Sequence, residues 1–368
     1  MGAETFLVSP LLPRIASDLG TSTGAGAQVV TAYVLAYAVT APLLGGLSDR
    51  LPRRVFITAG GALFMAGNLL CALSDSLPGL LAARAVTGLG GAAAAPAMWA
   101  YLSENAAEHQ RGRAVSGGVS CYALGQVLGV PAGSLLAEAM DWRWAFTVIA
   151  VALLPLLPVI AWRLHGTKPH HANSLISSFT IWRSRHIALP LLSTGFLQAG
   201  RLGAYTFAGA LFAHRYGMST GQLGLLGLLV GAGTLVGSLI SGRVTDALRT
   251  RGRNENWLSG ACATLFVSAA ATALISHHLV ASLIALFVWF LAGGAFYTTQ
   301  QTYLGNVDAR HRASIVSWNS TLDHIGVAVG TSVLALWPLA GPGFVLTTIA
   351  FGAAAVLLSA FTARAGRR

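Results

Sequence analysis

Four ionisable side chains stand inside long apolar stretches of this chain: Glu4, Arg84, Arg201 and Asp323, the last followed directly by His324. Insertion scales put the cost of one such group at the centre of a membrane at about 2.5–3.5 kcal/mol, so each should face other protein groups or a watered cavity. Two kinds of chemistry are open to them. A carboxyl group held away from bulk water can exchange a proton, because desolvation favours the neutral acid and a nearby guanidinium favours the anion. A guanidinium in the same setting is a fixed cation that either tunes that exchange or holds a polar group of a solute. Asp323 with His324 is a candidate proton-titrating pair, since an imidazole changes charge in the physiological range. The alternative is that one of the two is merely hydrogen-bonded at a helix interface. Arg84 can likewise serve as a structural arginine bonded to helix ends.

A second constellation lies between two apolar segments. Gly45-Gly46-Leu47-Ser48-Asp49-Arg50-Leu51-Pro52-Arg53-Arg54 returns in degraded form as Gly242-Arg243-Val244-Thr245-Asp246-Ala247-Leu248-Arg249, with an Asp-to-Asp offset of 197 residues. A carboxylate at the foot of a helix can accept hydrogen bonds from the exposed amides of a neighbouring helix start and pair with arginine. Asp49 and Asp246, with Gly45, Arg50, Arg53 and Arg54, are therefore candidates for a conformational latch. Simple anchoring at the membrane surface is the other role open to the arginines.

The elements that must position these groups follow from composition. Hydrophobic residues make up 54% of the 368-residue chain and charged residues 10%, so the solvent for most of its surface is lipid. Apolar segments of membrane-spanning length fall near 1–17, 26–48, 55–74, 78–103, 114–138, 143–163, 187–212, 219–245, 257–277, 279–304, 313–337 and 342–363. The spacing predicts an all-α membrane protein of twelve transmembrane helices. Of the 23 Lys and Arg residues, 18 lie in the connections after even-numbered segments or at the C-terminus, and only Arg14, Arg143 and Arg215 lie in the opposite connections. The positive-inside rule places the even-numbered ends and the C-terminus in the cytoplasm of a multi-pass protein of the cytoplasmic membrane. The net charge of +11 thus reports orientation, and nucleic acid drops out as a partner. Cys71, Cys121 and Cys262 all sit in apolar segments and imply neither a disulfide framework nor a metal site.

The duplication runs beyond the two Asp residues. Gly125-x-x-x-Gly129 recurs as Gly326-x-x-x-Gly330, and Arg111-Gly112-Arg113-Ala114 as Arg310-His311-Arg312-Ala313, at offsets of 201 and 199 residues. Two parallel six-helix repeats result, read as an N-terminal bundle over 1–163, a cytoplasmic linker over 164–186 and a C-terminal bundle over 187–368. By the same ruler Glu4 and Arg201 are equivalent positions of segments one and seven. Segment one should begin roughly eleven residues before Met1, so the first helix reads as N-terminally truncated: either the start codon lies upstream, which an upstream in-frame start would show, or the helix is short.

Along essentially its whole length the chain resembles the major facilitator superfamily. Gly45-x-Leu47-Ser48-Asp49-Arg50-x-x-Arg53-Arg54 resembles that family's loop between helices two and three, with Pro52 where the family usually has Gly, and Arg84-x-x-x-Gly88-x-Gly90 resembles its helix-four motif. Ser9-Pro10-Leu11-Leu12-Pro13-Arg14-Ile15-Ala16, Tyr33 with Pro42, Tyr205-Thr206 and Gly125-x-x-x-Gly129-x-Pro131-x-Gly133 are most similar to the drug:proton antiporter group, arabinose-efflux-permease-like members in particular. Gly129-Val130-Pro131-Ala132-Gly133 lacks the adjacent Gly-Pro and double Gly of the fullest antiporter motif. The resemblance implies a secondary transporter working by alternating access, proton-coupled efflux first and uptake or facilitated passage as the alternative. It also implies a part for Arg84 in proton coupling and a central cavity faced by Glu4 and Arg201.

Candidate cavity residues are Trp99, Gln198, Tyr205, Tyr297, Gln300 and Gln301 with Arg201, and on the interface helices Tyr33, Tyr37, Gln126 and Asn319; interhelical hydrogen bonding is the plain alternative for about half of them. Gly125, Gly129 and Gly133 share one helix face that permits close backbone approach, and Pro131 bends that helix. A membrane enzyme or receptor is the reading from another class. No HExxH, paired-carboxylate or nucleophile-elbow pattern supports an enzyme, and no GxxxxGK[ST] supports a nucleotide-driven pump. The expected partners are a small organic solute, protons and the lipid bilayer, with no cofactor or metal, and a monomer suits such a carrier.

Overall fold

The computed structural model describes residues 2–48, 52–105, 111–164, 181–250, 256–308, 312–339 and 341–365. Among them the regular structure is helical throughout, without a strand. The first six spans are α1 (Gly2–Asp18), α2 (Thr23–Ser48), α3 (Arg53–Ala72), α4 (Leu77–Asn105), α5 (Arg111–Ala139) and α6 (Trp142–Arg163). A single 3-10 turn at Ile181–Arg183 precedes span seven. That span is not the continuous helix expected over 187–212: it runs as α7 (Arg185–Gln198), a π-helical segment (Ala199–Gly203) and α8 (Ala208–Tyr216). The remaining five spans are α9 (Thr220–Thr250), α10 (Asn256–Ile275), α11 (Leu279–Val307), α12 (Arg312–Leu334) and α13 (Pro342–Ala365).

Among the described residues, eight of these helices are long and apolar enough to cross a membrane. The four spans outside that set are one, five, seven and eleven, which carry Glu4, Gln126, Gln198, Arg201, Asn319 and Asp323. They pair with one another in both repeats: α1 packs on α5, and α7 with its π segment packs on α12. Polar helices thus shield each other, as expected where lipid cannot satisfy a buried amide or charge.

The chain divides into two compact units, Met1–Asn173 with Met218–Leu225 and Ser174–Gly217 with Leu226–Arg368. In the first, α4 packs against both α2 and α3, and α3 also packs against α6. Small residues set the approach of α3 to α4: a methyl group on Gly60 would stand 2.7 Å from the Ala94 backbone nitrogen. Residues Met218–Leu225, the start of α9, join this unit because the Gly221 amide donates to Glu138 Oε2 at 2.8 Å and Gly224 packs on Pro131 and Ser134 of α5. In the second unit α10 packs on α11 and α13, mirroring the arrangement around α3. Ile181, Ile187, Leu191, Leu304 and Ile315 form a buried cluster there, closed by the edge-on pair of Trp182 and Trp318 with centroids 5.2 Å apart. The short turn before α7 is thereby tied to α11 and α12.

The three arginines that stand apart from the basic connections all have one structural use. Arg14 donates to the Glu138 carbonyl in the last turn of α5, at 3.3 Å. Arg143 donates to the Ser74 carbonyl just past α3 at 2.9 Å, and Arg215 to the Leu274 and Ser276 carbonyls at the end of α10, both at 2.8 Å. Each guanidinium caps unsatisfied carbonyls at the negative end of a helix. Around Arg143 the cap widens into a clasp. Asp18 accepts from it at 2.8 Å and from Trp142 Nε1 at 3.0 Å, while Asp141 and Asp75 stand 3.4 Å away.

Arg143→Ala removes the cap on the Ser74 carbonyl and leaves three carboxylates facing each other at a partly exposed site. The expected loss is about 1–2 kcal/mol, discounted for solvent screening. It is read as a lower thermal unfolding midpoint of the purified protein in detergent, partly restored in Arg143→Lys; an unchanged midpoint would show that the clasp carries no stability.

Candidate functional site

The first polar cluster joins spans one, two, four and six. Glu4 on α1 is fully buried, at 0% exposure, and pairs with Arg84 of α4, itself 1% exposed. The Arg84 Nε also donates to the Val29 carbonyl of α2 at 3.2 Å. Its guanidinium carbon lies 4.6 Å from the centroid of the Tyr33 ring and 5.9 Å from that of Phe146. The cation therefore has one carboxylate, one carbonyl and two aromatic faces, a combination that offsets the loss of water around a planar guanidinium. Glycine makes room for it: a methyl group on Gly91 would sit 3.0 Å from the Tyr33 hydroxyl, and one on Gly88 would run into the Tyr33 carbonyl. The carboxylate is less well served. Glu4 Oε2 has no hydrogen-bond partner among the described residues, although it is buried.

The second cluster is built on the broken span. A π-helical segment widens the turn by one residue and leaves carbonyls off their usual partners, and such segments are frequent at functional positions. Here it lifts Arg201, in the middle of Ala199–Gly203, away from the register of α7. The Arg201 guanidinium donates to Gln198 Oε1 and to Thr234 Oγ1, both at 3.3 Å, and lies 4.8 Å from the Phe290 ring centroid. Gln198 in turn donates through Nε2 to Asp323 Oδ1 on α12. Its amide thus links a cation to an anion, with each end matched to the charge it meets. Asp323 Oδ2 is 3.9 Å from His324 Nδ1, which also stands 2.8 Å from the Ser320 carbonyl. Gly293 of α11 is the floor beneath Arg201, since a methyl group there would overlap the guanidinium stem.

The close approach of α7 to α12 depends on glycine. Methyl groups on Gly326 and Gly330 would run into the carbonyls of Gly195 and Ala199, and Gly203 lies against Gly330. These contacts are internal to the second unit. In the first unit Gly133 faces Leu7 of α1, where a methyl group would come to 2.6 Å. Gly125 and Gly129 are half-buried on the same helix, and Pro131 lies within α5 without ending it.

The remaining candidates distribute as follows. Tyr205, just past the π segment, is buried with its ring edge-on to Phe290 at 5.0 Å. Gln300 is buried and donates to the Pro190 carbonyl at 3.0 Å, while its Oε1 is unpaired among the described residues. Tyr297 is 36% exposed, and its hydroxyl accepts from Gln301 at 2.9 Å. Arg53 is buried at the start of α3 and Arg54 exposed beside it. Asp49 and Arg50 lie outside the described residues, as do the side chains of Asp246 and Trp99; Gly45 is described only as part of α2. Sequence patterns alone did not mark Val29, Phe146, Thr234, Phe290 or Gly293 as site components. The adjacent Gly293-Gly294 pair was the one available signal, because two glycines inside an apolar helix invite close approach by another group.

Comparison with known proteins agrees with this architecture. The family model described as Major Facilitator Superfamily matches residues 1–331. The MFS-type transporter YbcL of Bacillus subtilis is 26% identical over 338 residues, covering 90% of this chain and 84% of that protein. A chloramphenicol resistance protein of Streptomyces lividans is 26% identical over 339 residues, covering 91% of this chain and 85% of its own. Among solved structures, a bacterial homologue of the human lysosomal transporter Spinster, inward-facing and unoccupied, superposes with a TM-score of 0.78 at 15% identity, over 100% of this chain and 94% of that one. That likeness speaks for the fold alone. With twelve spans in two repeated halves and a family match across most of its length, the chain belongs to the Major Facilitator Superfamily.

Proposed function

We propose that this transporter exports a small organic solute in exchange for protons across the cytoplasmic membrane, with its C-terminus in the cytoplasm. The observation that carries the proposal is Glu4, a carboxylate with no exposure, one oxygen paired to Arg84 and the other without a partner among the described residues. When Glu4 takes a proton, Arg84 keeps the Val29 carbonyl and two aromatic faces. These contacts offset part of the cost of leaving the buried cation without its counter-charge.

The Asp323–His324 pair, joined through Gln198 to Arg201, offers a second polar centre in the other repeat. On this reading it responds to solute, with Arg201, Gln198, Tyr297 and Gln301 as contacts, and Tyr205 and Gln300 as packing that holds them. Asp49 with Arg53 and Arg54, and Asp246 in the second repeat, form the latch that biases alternating access. The relative named for chloramphenicol resistance supports a drug-like, partly apolar solute, and chloramphenicol is the first probe to use. Cells carrying the protein should accumulate less of it than cells without, and collapsing the proton gradient should erase the difference. Equal accumulation in both would exclude chloramphenicol efflux.

In proteoliposomes, Glu4→Gln should lower pH-driven flux at least about tenfold while sparing solute counterflow, since a coupling group acts on the proton-bearing step. Unchanged pH dependence would move the coupling proton to another group. Asp49→Ala should insert normally yet transport slowly in both modes, because a latch acts on the conformational step; normal flux would remove the latch.

A further inference from the structure

Internal duplication supplies a comparison at the helix ends remote from the arginine-rich connections. In the first unit, Arg143 caps the end of α3 with Asp18, Asp75 and Asp141 around it. In the second, Arg215 caps the end of α10 in the same way. Among the described residues, however, no carboxylate lies within ion-pair distance of Arg215. A helix end supplies roughly half a negative charge, so Arg215 keeps a positive excess that Arg143 does not.

That excess borders an open groove of about 770 Å³. His214 and His277 stand at the same rim, and Leu274, Ile275, Val345 and Leu346 line the wall. Ile275 and Leu346 are 59% and 65% exposed, so the wall continues onto apolar surface. Trp337 is exposed at the nearby end of α12, consistent with the interfacial level at which tryptophan gathers. One cation, two imidazoles able to donate hydrogen bonds and an adjoining apolar wall meet at the depth where lipid headgroups join their chains.

We propose that this groove seats an anionic phospholipid, its phosphate beside Arg215, His214 and His277 and an acyl chain along Leu274, Ile275 and Leu346. A soluble phosphate gains nothing from the wall, and a zwitterionic lipid brings an ammonium group towards the arginine. The seat is on α8, the short helix that follows the π segment holding Arg201. Its residues are all distinct from the Glu4–Arg84 pair of the first unit.

Native mass spectrometry of the purified full-length protein, titrated with phosphatidylglycerol and phosphatidylcholine of matched chains, tests the seat. The wild type should retain phosphatidylglycerol about fivefold better, the preference expected from one uncompensated cation. His214→Glu with His277→Glu leaves both carbonyl caps in place and should abolish that preference. Arg215→Gln should do the same, with helical content checked by circular dichroism. Equal retention of the two lipids by the wild type would overturn the proposal, as would a double variant that still prefers phosphatidylglycerol. Displacement of bound lipid by an equal concentration of glycerol 1-phosphate would also overturn it, by showing an anion site that makes no use of the chain.

Discussion

A guanidinium placed among hydrocarbon tails must find its acceptors inside the protein, and much of this architecture follows from where Arg84 and Arg201 find theirs. Arg84 draws on α1, α2 and α6 at once, through Glu4, the Val29 carbonyl and the rings of Tyr33 and Phe146. Arg201 draws on α7, α9 and α11 through Gln198, Thr234 and Phe290. In each unit one cation thus ties together helices that lipid alone would not hold in register. Small residues then let the backbones close around it, as Gly88, Gly91 and Gly293 do. The same need for acceptors explains the outlying arginines, which end on helix-terminal carbonyls.

The two repeats have kept their packing and differ in where their buried charges sit. Spans one and seven correspond, yet one carries Glu4 and the other Arg201. The acid of the first unit faces its cation directly, whereas the acid of the second reaches its cation through the Gln198 amide. An intervening amide keeps charges apart and leaves Asp323 partly accessible beside His324. On the proposed reading, the directly paired, fully enclosed carboxylate exchanges a proton and the bridged, partly exposed one responds to an arriving polar group.

Much of this was legible from residue types and spacing. Apolar run lengths located the twelve spans, the repeated Asp49 and Asp246 loops revealed the duplication, and the rarity of charges inside spans singled out Glu4, Arg84, Arg201 and Asp323. What could not be read was who pairs with whom. Position-by-position equivalence relates Glu4 to Arg201 but says nothing of its partner, which is Arg84, eighty residues away, because pairing depends on helix packing that no local pattern encodes. The break in span seven was also hidden. Glycines there do not mark a break, since Gly195 and Gly203 serve close packing against α12. The widened turn around Arg201 comes from the tertiary demand of seating a cation over Phe290 and Gly293.

The account rests on Glu4 being a carboxyl group that gives and takes a proton while buried against Arg84. Infrared difference spectroscopy of the purified protein through an acid titration reads this directly, by comparing wild type with Glu4→Gln. A carbonyl stretch of a protonated, desolvated carboxyl group should appear on acidification in the wild type and be missing from the variant. An identical spectrum in both proteins would contradict the account, because Glu4 would then stay ionised beside Arg84 throughout and could carry no proton.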